Sequence, residues 1–190
     1  SSLSYNRWYR WSDLDGRTAV TTRAANLAFE RGLLIVNSMG NQGQREGSIG
    51  APADAVGAIS VGAVNGIGGL AGFSSVGPTY DRRVKPDVVA PGVGIVAAKA
   101  RTIDRYSRWN GTSFSAPLGA GCLALIMEAH PDWGPEMVRE ALVMSADRAE
   151  RPDNRYGWGL VNARDAVLYP LIEGRVSDLH TREPIAGAAV

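Results

Sequence analysis

Apolar positions along this chain of 190 residues follow first a helical spacing and then a strand-like run. An alanine-rich stripe predicts a helix over residues 17–31, capped by Asp15 and ended by Gly32. The unbroken apolar run 33–36 predicts a short buried strand, and residues 59–64 predict a second one. A helix followed by buried strands indicates an α/β fold with a mostly parallel sheet.

The most apolar segment is 118–127, which follows Pro117 and contains many small residues. A helix with no polar face is typical of a core, so we expect this helix to be buried on every side. Pro117 is tolerated in the first turn, where backbone N–H groups have no partner within the helix. Ser113 lies just before this run, where the positive end of the helix stabilises an anion.

Composition excludes several classes of function. A net charge of +1 gives no bulk electrostatic argument for a nucleic acid or an anionic membrane as partner. The sequence shows no signal peptide, and we expect no run long enough to span a membrane. Cys122 has no second cysteine to pair with, so it is interpreted as a small buried hydrophobic residue.

Residues 110–117 read Asn-Gly-Thr-Ser-Phe-Ser-Ala-Pro. They resemble the motif Gly-Thr-Ser-x-Ser/Ala-x-Pro of the subtilisin-like serine proteases (subtilases). The matching positions are Gly111, Thr112, Ser113, Ser115 and Pro117. The resemblance implies a serine endopeptidase in which Ser113 is the nucleophile and a polypeptide is the substrate.

Two further segments match the family's substrate-binding region. In the loop 37–43, the resemblance implies that Asn41 donates to the oxyanion and that Gly40 leaves room for a substrate side chain. Ser2, Leu3 and Ser4 resemble a Ser-Leu-Gly stretch that flanks the substrate, with Ser4 in place of the glycine. The loop lacks the Gly-Lys-Ser/Thr of a phosphate-binding loop, which disfavours a nucleotide-binding α/β domain.

Other matched stretches extend the resemblance over residues 1–168, including Phe-Ser-Ser-x-Gly-Pro at 73–78 and Lys-Pro-Asp with Ala-Pro-Gly at 85–92. It implies a three-layer subtilisin-like fold whose N-terminal part is absent. The family resemblance places residues 85–92 in turns beneath the active site, and Asp87 is interpreted as a turn residue outside the catalytic triad.

A serine needs a histidine base that an aspartate orients, and in subtilases these residues occur in the order Asp, His, Ser. Here the two histidines, His130 and His180, both follow Ser113, and His130 is interpreted as the end of a helix. We therefore expect a fragment that is inactive alone and whose partner is the upstream half with Asp and His.

Other expectations follow from the resemblance alone. It implies no cofactor for the chemistry. Calcium is common in the family, but its ligands are unassigned, because Asp13 and Asp15 read equally well as a turn and a helix cap. Secretion or a cell-surface location is inferred from the family and from residues 169–190, a linker and two short strands that resemble the start of a carboxypeptidase regulatory-like β-sandwich.

Two alternatives stay open beside the subtilase interpretation. A serine-carboxyl peptidase of the sedolisin family shares Gly-Thr-Ser but uses an acid at the oxyanion position, which Asn41 disfavours. A non-catalytic relative would use the fold as a binding or structural module, and the presence of both Ser113 and Asn41 argues against it.

Overall fold

Three parallel strands lie at the centre of the structure, a computed structural model that describes residues 1–170 and Thr181. The strands are β1 (Ile35–Ser38), β2 (Ala58–Val64) and β3 (Val88–Pro91), with β2 in the middle and buried at every position. A separate antiparallel pair consists of β4 (Ile95–Ala98) and β5 (Tyr106–Trp109). The predicted α/β fold with a mostly parallel sheet is confirmed.

Helices cover both faces of the sheet, because alternate residues of a strand point to opposite sides. On one face Ala25 of α1 (Val20–Glu30) packs with Ala58. On the other face α2 (Thr112–Ala129) packs Leu123 and Ile126 in one cluster with Ile59 and Val61. Two more helices, α3 (Pro135–Met144) and α4 (Ala163–Val167), lie against α2, which gives the described chain three layers.

Two sequence-based strand assignments are corrected. The first strand begins two residues later than predicted, because the backbone N–H of Leu33 donates to Ala28 O and still belongs to the end of α1. Gly32, with φ of +85°, makes the turn there. Residues 88–91, which were expected in turns, form the third strand of the sheet, where Val61 pairs with Val88.

The start of α1 also differs from its prediction. Its N-cap is Ala19, and Asp15 does not cap the helix. Asp15 instead accepts hydrogen bonds from the backbone N–H groups of Arg17 and Thr18, which closes a turn before the helix begins. These hydrogen bonds outweigh the burial of the carboxylate and lower the pKa of Asp15 to about 2.

Helix α2 is not buried on every side, so that prediction was wrong for the described chain. Leu118 and Leu125 are 42% and 48% exposed, whereas Leu123 is 3% exposed. The helix is also long and apolar enough to meet the criteria for a membrane span by length and composition, contrary to the sequence-based expectation. Its contacts with the sheet, α3 and α4 are typical of a core helix.

The proposed boundary after residue 168 follows α4 by one residue. The β-sandwich strands predicted within 169–190 lie outside the described residues, apart from Tyr169, Pro170 and Thr181. That module therefore stays a prediction.

Candidate active site

The loop after β1 and the first turn of α2 meet at two glycines with positive φ. Gly40 has φ of +115° and Gly111 has φ of +152°, a region that favours glycine over residues with a Cβ. The backbone N–H of Gly40 donates to Thr112 Oγ1 at 3.3 Å. The fold thus brings residues that are about seventy positions apart in the chain into one small region.

Asn41 is fixed by Thr112, the residue before Ser113. The side-chain oxygen Oδ1 accepts from the backbone N–H of Thr112 at 3.0 Å and from its hydroxyl at 2.9 Å. Thr112 is fully buried, so these two hydrogen bonds define the orientation of the amide. The amino group Nδ2 lies 3.5 Å from the position that a Cβ on Gly111 would occupy and donates to no residue in 1–170.

Ser113 is the second residue of α2 and is partly exposed. In the part of the chain that the structure describes, its hydroxyl forms no hydrogen bond with a histidine or a carboxylate. Its position in the first helical turn gives it the positive end of the helix, which stabilises a neighbouring negative charge. A hydroxyl and a free amide donor therefore lie on adjacent segments.

The histidine that the structure describes is far from this site. His130 caps the other end of α2, where Nε2 lies 2.7 Å from Val167 O and the ring stacks on Trp133 at 3.8 Å. It lies seventeen positions after Ser113 along α2 and its C-cap, a span of about 25 Å. His130 is therefore the helix-terminal residue that the sequence indicated, and His180 lies outside the described residues.

The predicted substrate-binding residues fall into two groups. Ser4 and Gly40 come together, since a Cβ on Gly40 would lie 3.0 Å from Ser4 Oγ. Ser4 Oγ is buried and has no hydrogen-bond partner within residues 1–170. Ser2 and Leu3 are exposed, and the carbonyl of Leu3 accepts from Asn37 Nδ2 at 3.1 Å. No contact joins Ser2 or Leu3 to Ser113 among the hydrogen bonds of the described residues.

An aromatic pair is formed by residues that flank Ser113 in the chain. The rings of Trp109 and Phe114 are stacked, with centroids 6.5 Å apart and planes at 17°. Trp109 ends β5, and Phe114 follows Ser113 in α2. Sequence reasoning missed this pair and the role of Thr112. The available signal was that Thr112 and Phe114 flank Ser113 in the chain. Strand β5, which carries Trp109, was not predicted.

Asp87 belongs to a buried ionic cluster at the start of β3. Its carboxylate accepts from Lys85 Nζ at 2.5 Å, from Arg139 at 2.6 Å and from the Ser60 backbone N–H at 2.7 Å. Burial alone would raise the pKa of Asp87, but the two cations and these hydrogen bonds lower it to about 2. The cluster joins β2, β3 and α3, so Asp87 stabilises the fold.

Residues 1–170 and 181 contain no group of three His, Cys, Asp or Glu side chains that fits a metal ion. Asp13 and Asp15 are engaged with nearby backbone N–H groups.

Known proteins that are similar to this chain are serine proteases of one family. The model of the Subtilase family matches residues 1–159. Serine protease AprX of Bacillus subtilis (strain 168) is 33% identical over 76% of this chain and 37% of its own length. Subtilisin Savinase of Lederbergia lenta is 36% identical over 79% of this chain and 52% of its own length. The chain thus spans about half, or less, of these relatives.

Solved structures resemble the same part of the chain. The self-cleaved protease domain of PatA has a TM-score of 0.64 and 29% identity over 77% of this chain and 53% of that domain. The prenylagaramide maturation protease PagA has a TM-score of 0.67 and 28% identity over 80% of this chain and 56% of its own. Both carry the arrangement of helices and parallel sheet described above.

Proposed function

Because the chain belongs to the subtilase family of serine proteases, we propose that it provides the nucleophile and the oxyanion donor of a serine endopeptidase. The observation that carries this proposal is the pair of hydrogen bonds from Thr112 to Asn41 Oδ1, which leaves Nδ2 free beside Gly111, two residues before Ser113. A donor held in advance stabilises developing charge without reorganisation during the reaction.

The reaction begins when Ser113 Oγ attacks the carbonyl carbon of the scissile peptide bond. The carbonyl π electrons move to oxygen, and Asn41 Nδ2 donates a hydrogen bond to that oxyanion. A base takes the serine proton and returns it to the leaving amine, which gives an acyl-enzyme and a free amino terminus. Water then attacks the acyl carbon and releases Ser113 with a new carboxylate.

We propose that the base and its aspartate come from a segment outside residues 1–190. Two observations support this: the chain matches 37% to 52% of the lengths of these relatives, and His130 lies at the far end of α2. Ser1 also lies against β1, since the Ser38 N–H donates to Ser1 O at 3.0 Å. We further propose a polypeptide substrate, no cofactor in the chemistry and a location outside the cell or at its surface. Structural calcium stays a proposal from the family resemblance with its ligands unassigned, and no step of the reaction is assigned to it.

The test compares the chain alone with the full-length protein that contains it, here termed the parent, using a biotinylated fluorophosphonate. We expect slow or no labelling of the chain alone, because no described group takes the proton of Ser113. Stoichiometric labelling is expected in the parent and should disappear in the Ser113→Ala variant. Fast labelling of the isolated chain would contradict its predicted inactivity, and an unlabelled folded parent would contradict the peptidase proposal.

In the active parent we expect Asn41→Ala to lower kcat about 10²–10³-fold with little change in KM. That magnitude belongs to subtilisin, a relative in the same family, and is carried over to this chain. Thr112→Val should have a smaller effect in the same direction, because it removes one of the two hydrogen bonds to Oδ1. Activity at neutral pH would also separate this enzyme from an acid-dependent serine-carboxyl peptidase.

A further inference from the structure

The hairpin of residues 95–109, which contains β4 and β5, carries an unusual amount of positive charge. Its cations are Lys99, Arg101, Arg105 and Arg108, and its one carboxylate is Asp104. The hairpin therefore has a formal charge of +3, whereas the whole chain has +1. All of these charged residues are exposed, and within residues 1–170 none of the four cations forms an ion pair.

One face of the hairpin also exposes apolar side chains beside Arg108. In the register, Val96 lies opposite Arg108 and Ala98 opposite Tyr106, so these four residues share a face. Val96 is 58% exposed and Tyr106 is 73% exposed. Within the described residues, β4 and β5 pair only with each other, so their outer edges have backbone groups available to an extended peptide.

The hairpin is attached firmly to the segment that carries Ser113. The Gly94 N–H donates to Asn110 Oδ1 at 2.7 Å, and the Gly111 N–H donates to Gly92 O at 2.9 Å. The stacked rings of Trp109 and Phe114 form a third connection. A peptide bound along the hairpin would thus lie next to the first turn of α2.

We propose that the hairpin is a docking surface for an acidic, extended segment of the polypeptide substrate. This inference rests on the proposed function for its choice of occupant, and it specifies the substrate class: polypeptides with carboxylates near the scissile bond. Charge complementarity selects acidic side chains, the apolar face accepts the residues between them, and proximity to Ser113 favours a substrate over an unrelated partner.

Peptide binding tests this inference without catalysis. The Ser113→Ala chain is titrated, with fluorescence anisotropy as the readout, into a labelled peptide that alternates glutamate with alanine and into the same peptide with glutamine. We expect the glutamate peptide to bind more tightly and to lose affinity as salt increases. Replacing Arg101, Arg105 and Arg108 with Gln should weaken glutamate-peptide binding about tenfold and leave the glutamine peptide unaffected.

A matched variant replaces three exposed arginines elsewhere: Arg23, Arg31 and Arg164 to Gln. It changes the net charge equally, and we expect it to keep most of the affinity. Equal losses in both triple variants, or no loss in the hairpin variant, would overturn the inference. The inference would also be overturned if oligothymidylate bound to the same arginines more tightly than the glutamate peptide does. Failure of fluorophosphonate labelling in the parent would refute only the peptidase proposal, because peptide binding is measured independently of acylation.

Discussion

Single residues in this protein acquire their roles from a few buried hydrogen bonds. Asp87 follows Lys85 and Pro86, a sequence that indicates a turn. In the structure its carboxylate is 1% exposed and forms ion pairs with the buried Lys85 side chain and with Arg139 of α3. Removing one partner of such a cluster leaves a buried charge uncompensated, which costs far more than the loss of a surface ion pair.

We therefore expect Asp87→Asn to lower the free energy of unfolding by about 3–5 kcal/mol, measured by urea denaturation at neutral pH. The same change at the exposed Asp104, which has no ion pair in the described chain, should be nearly neutral. Equal effects of the two variants would contradict this role for Asp87.

The cluster also predicts a pH dependence. The folded-state pKa of Asp87 is lowered from 3.8 to about 2, so its ionised form stabilises the folded chain above the unfolded-state value. This contribution should be lost as the pH falls through the window from about 4 to about 2. Subtracting the Asp87→Asn stability curve from the wild-type curve measures that contribution, and a flat difference would contradict it.

At the scale of elements, the packing of α2 on the sheet depends on where its small residues lie. Gly119 faces β2, and a Cβ at this position would lie 3.0 Å from Val61 Cγ2. Gly121 is two residues further along, and a Cβ there would meet nothing within 4 Å. The two glycines therefore differ in function. Gly119 permits close packing of helix and sheet, whereas Gly121 only lowers helix propensity.

The same substitution at the two sites should separate these functions. We expect Gly119→Leu to destabilise the chain by about 1–3 kcal/mol, because an added side chain must displace packed atoms of β2. Gly121→Leu should be neutral or stabilising by up to about 1 kcal/mol through helix propensity. Thermal unfolding followed by circular dichroism measures both, and a greater loss at Gly121 would refute this packing model.

On the scale of the whole molecule, helix α2 is covered on one side in the described chain and exposed on another. One side of α2 packs on the parallel sheet, whereas Leu118 and Leu125 lie outside that side and are 42% and 48% exposed. An exposed apolar face of this kind typically marks an interaction surface. It is consistent with the proposal that a further segment of the protein completes the peptidase domain.

The exposed face of α2 with Leu118 and Leu125 should be detectable with the hydrophobic dye ANS. We expect the chain to bind the dye while folded, and the double variant Leu118→Gln with Leu125→Gln to bind less of it at unchanged stability. Leu123→Gln, at a position that is 3% exposed, is the matched control and should unfold the chain or destabilise it by several kcal/mol. Equal dye binding by the double variant and the wild type would contradict this assignment of the exposed face.

The sequence by itself determined the class of the fold, because apolar periodicity is set by which residues must leave water. It also identified the family, through short motifs around Ser113 and Asn41 that are legible without coordinates. Only the tertiary structure decided how Thr112 orients Asn41, that Asp87 is an ionic partner of Arg139, and which face of α2 is covered. Each of these depends on contacts between residues far apart in the chain, and a local pattern contains no information on which distant segments meet.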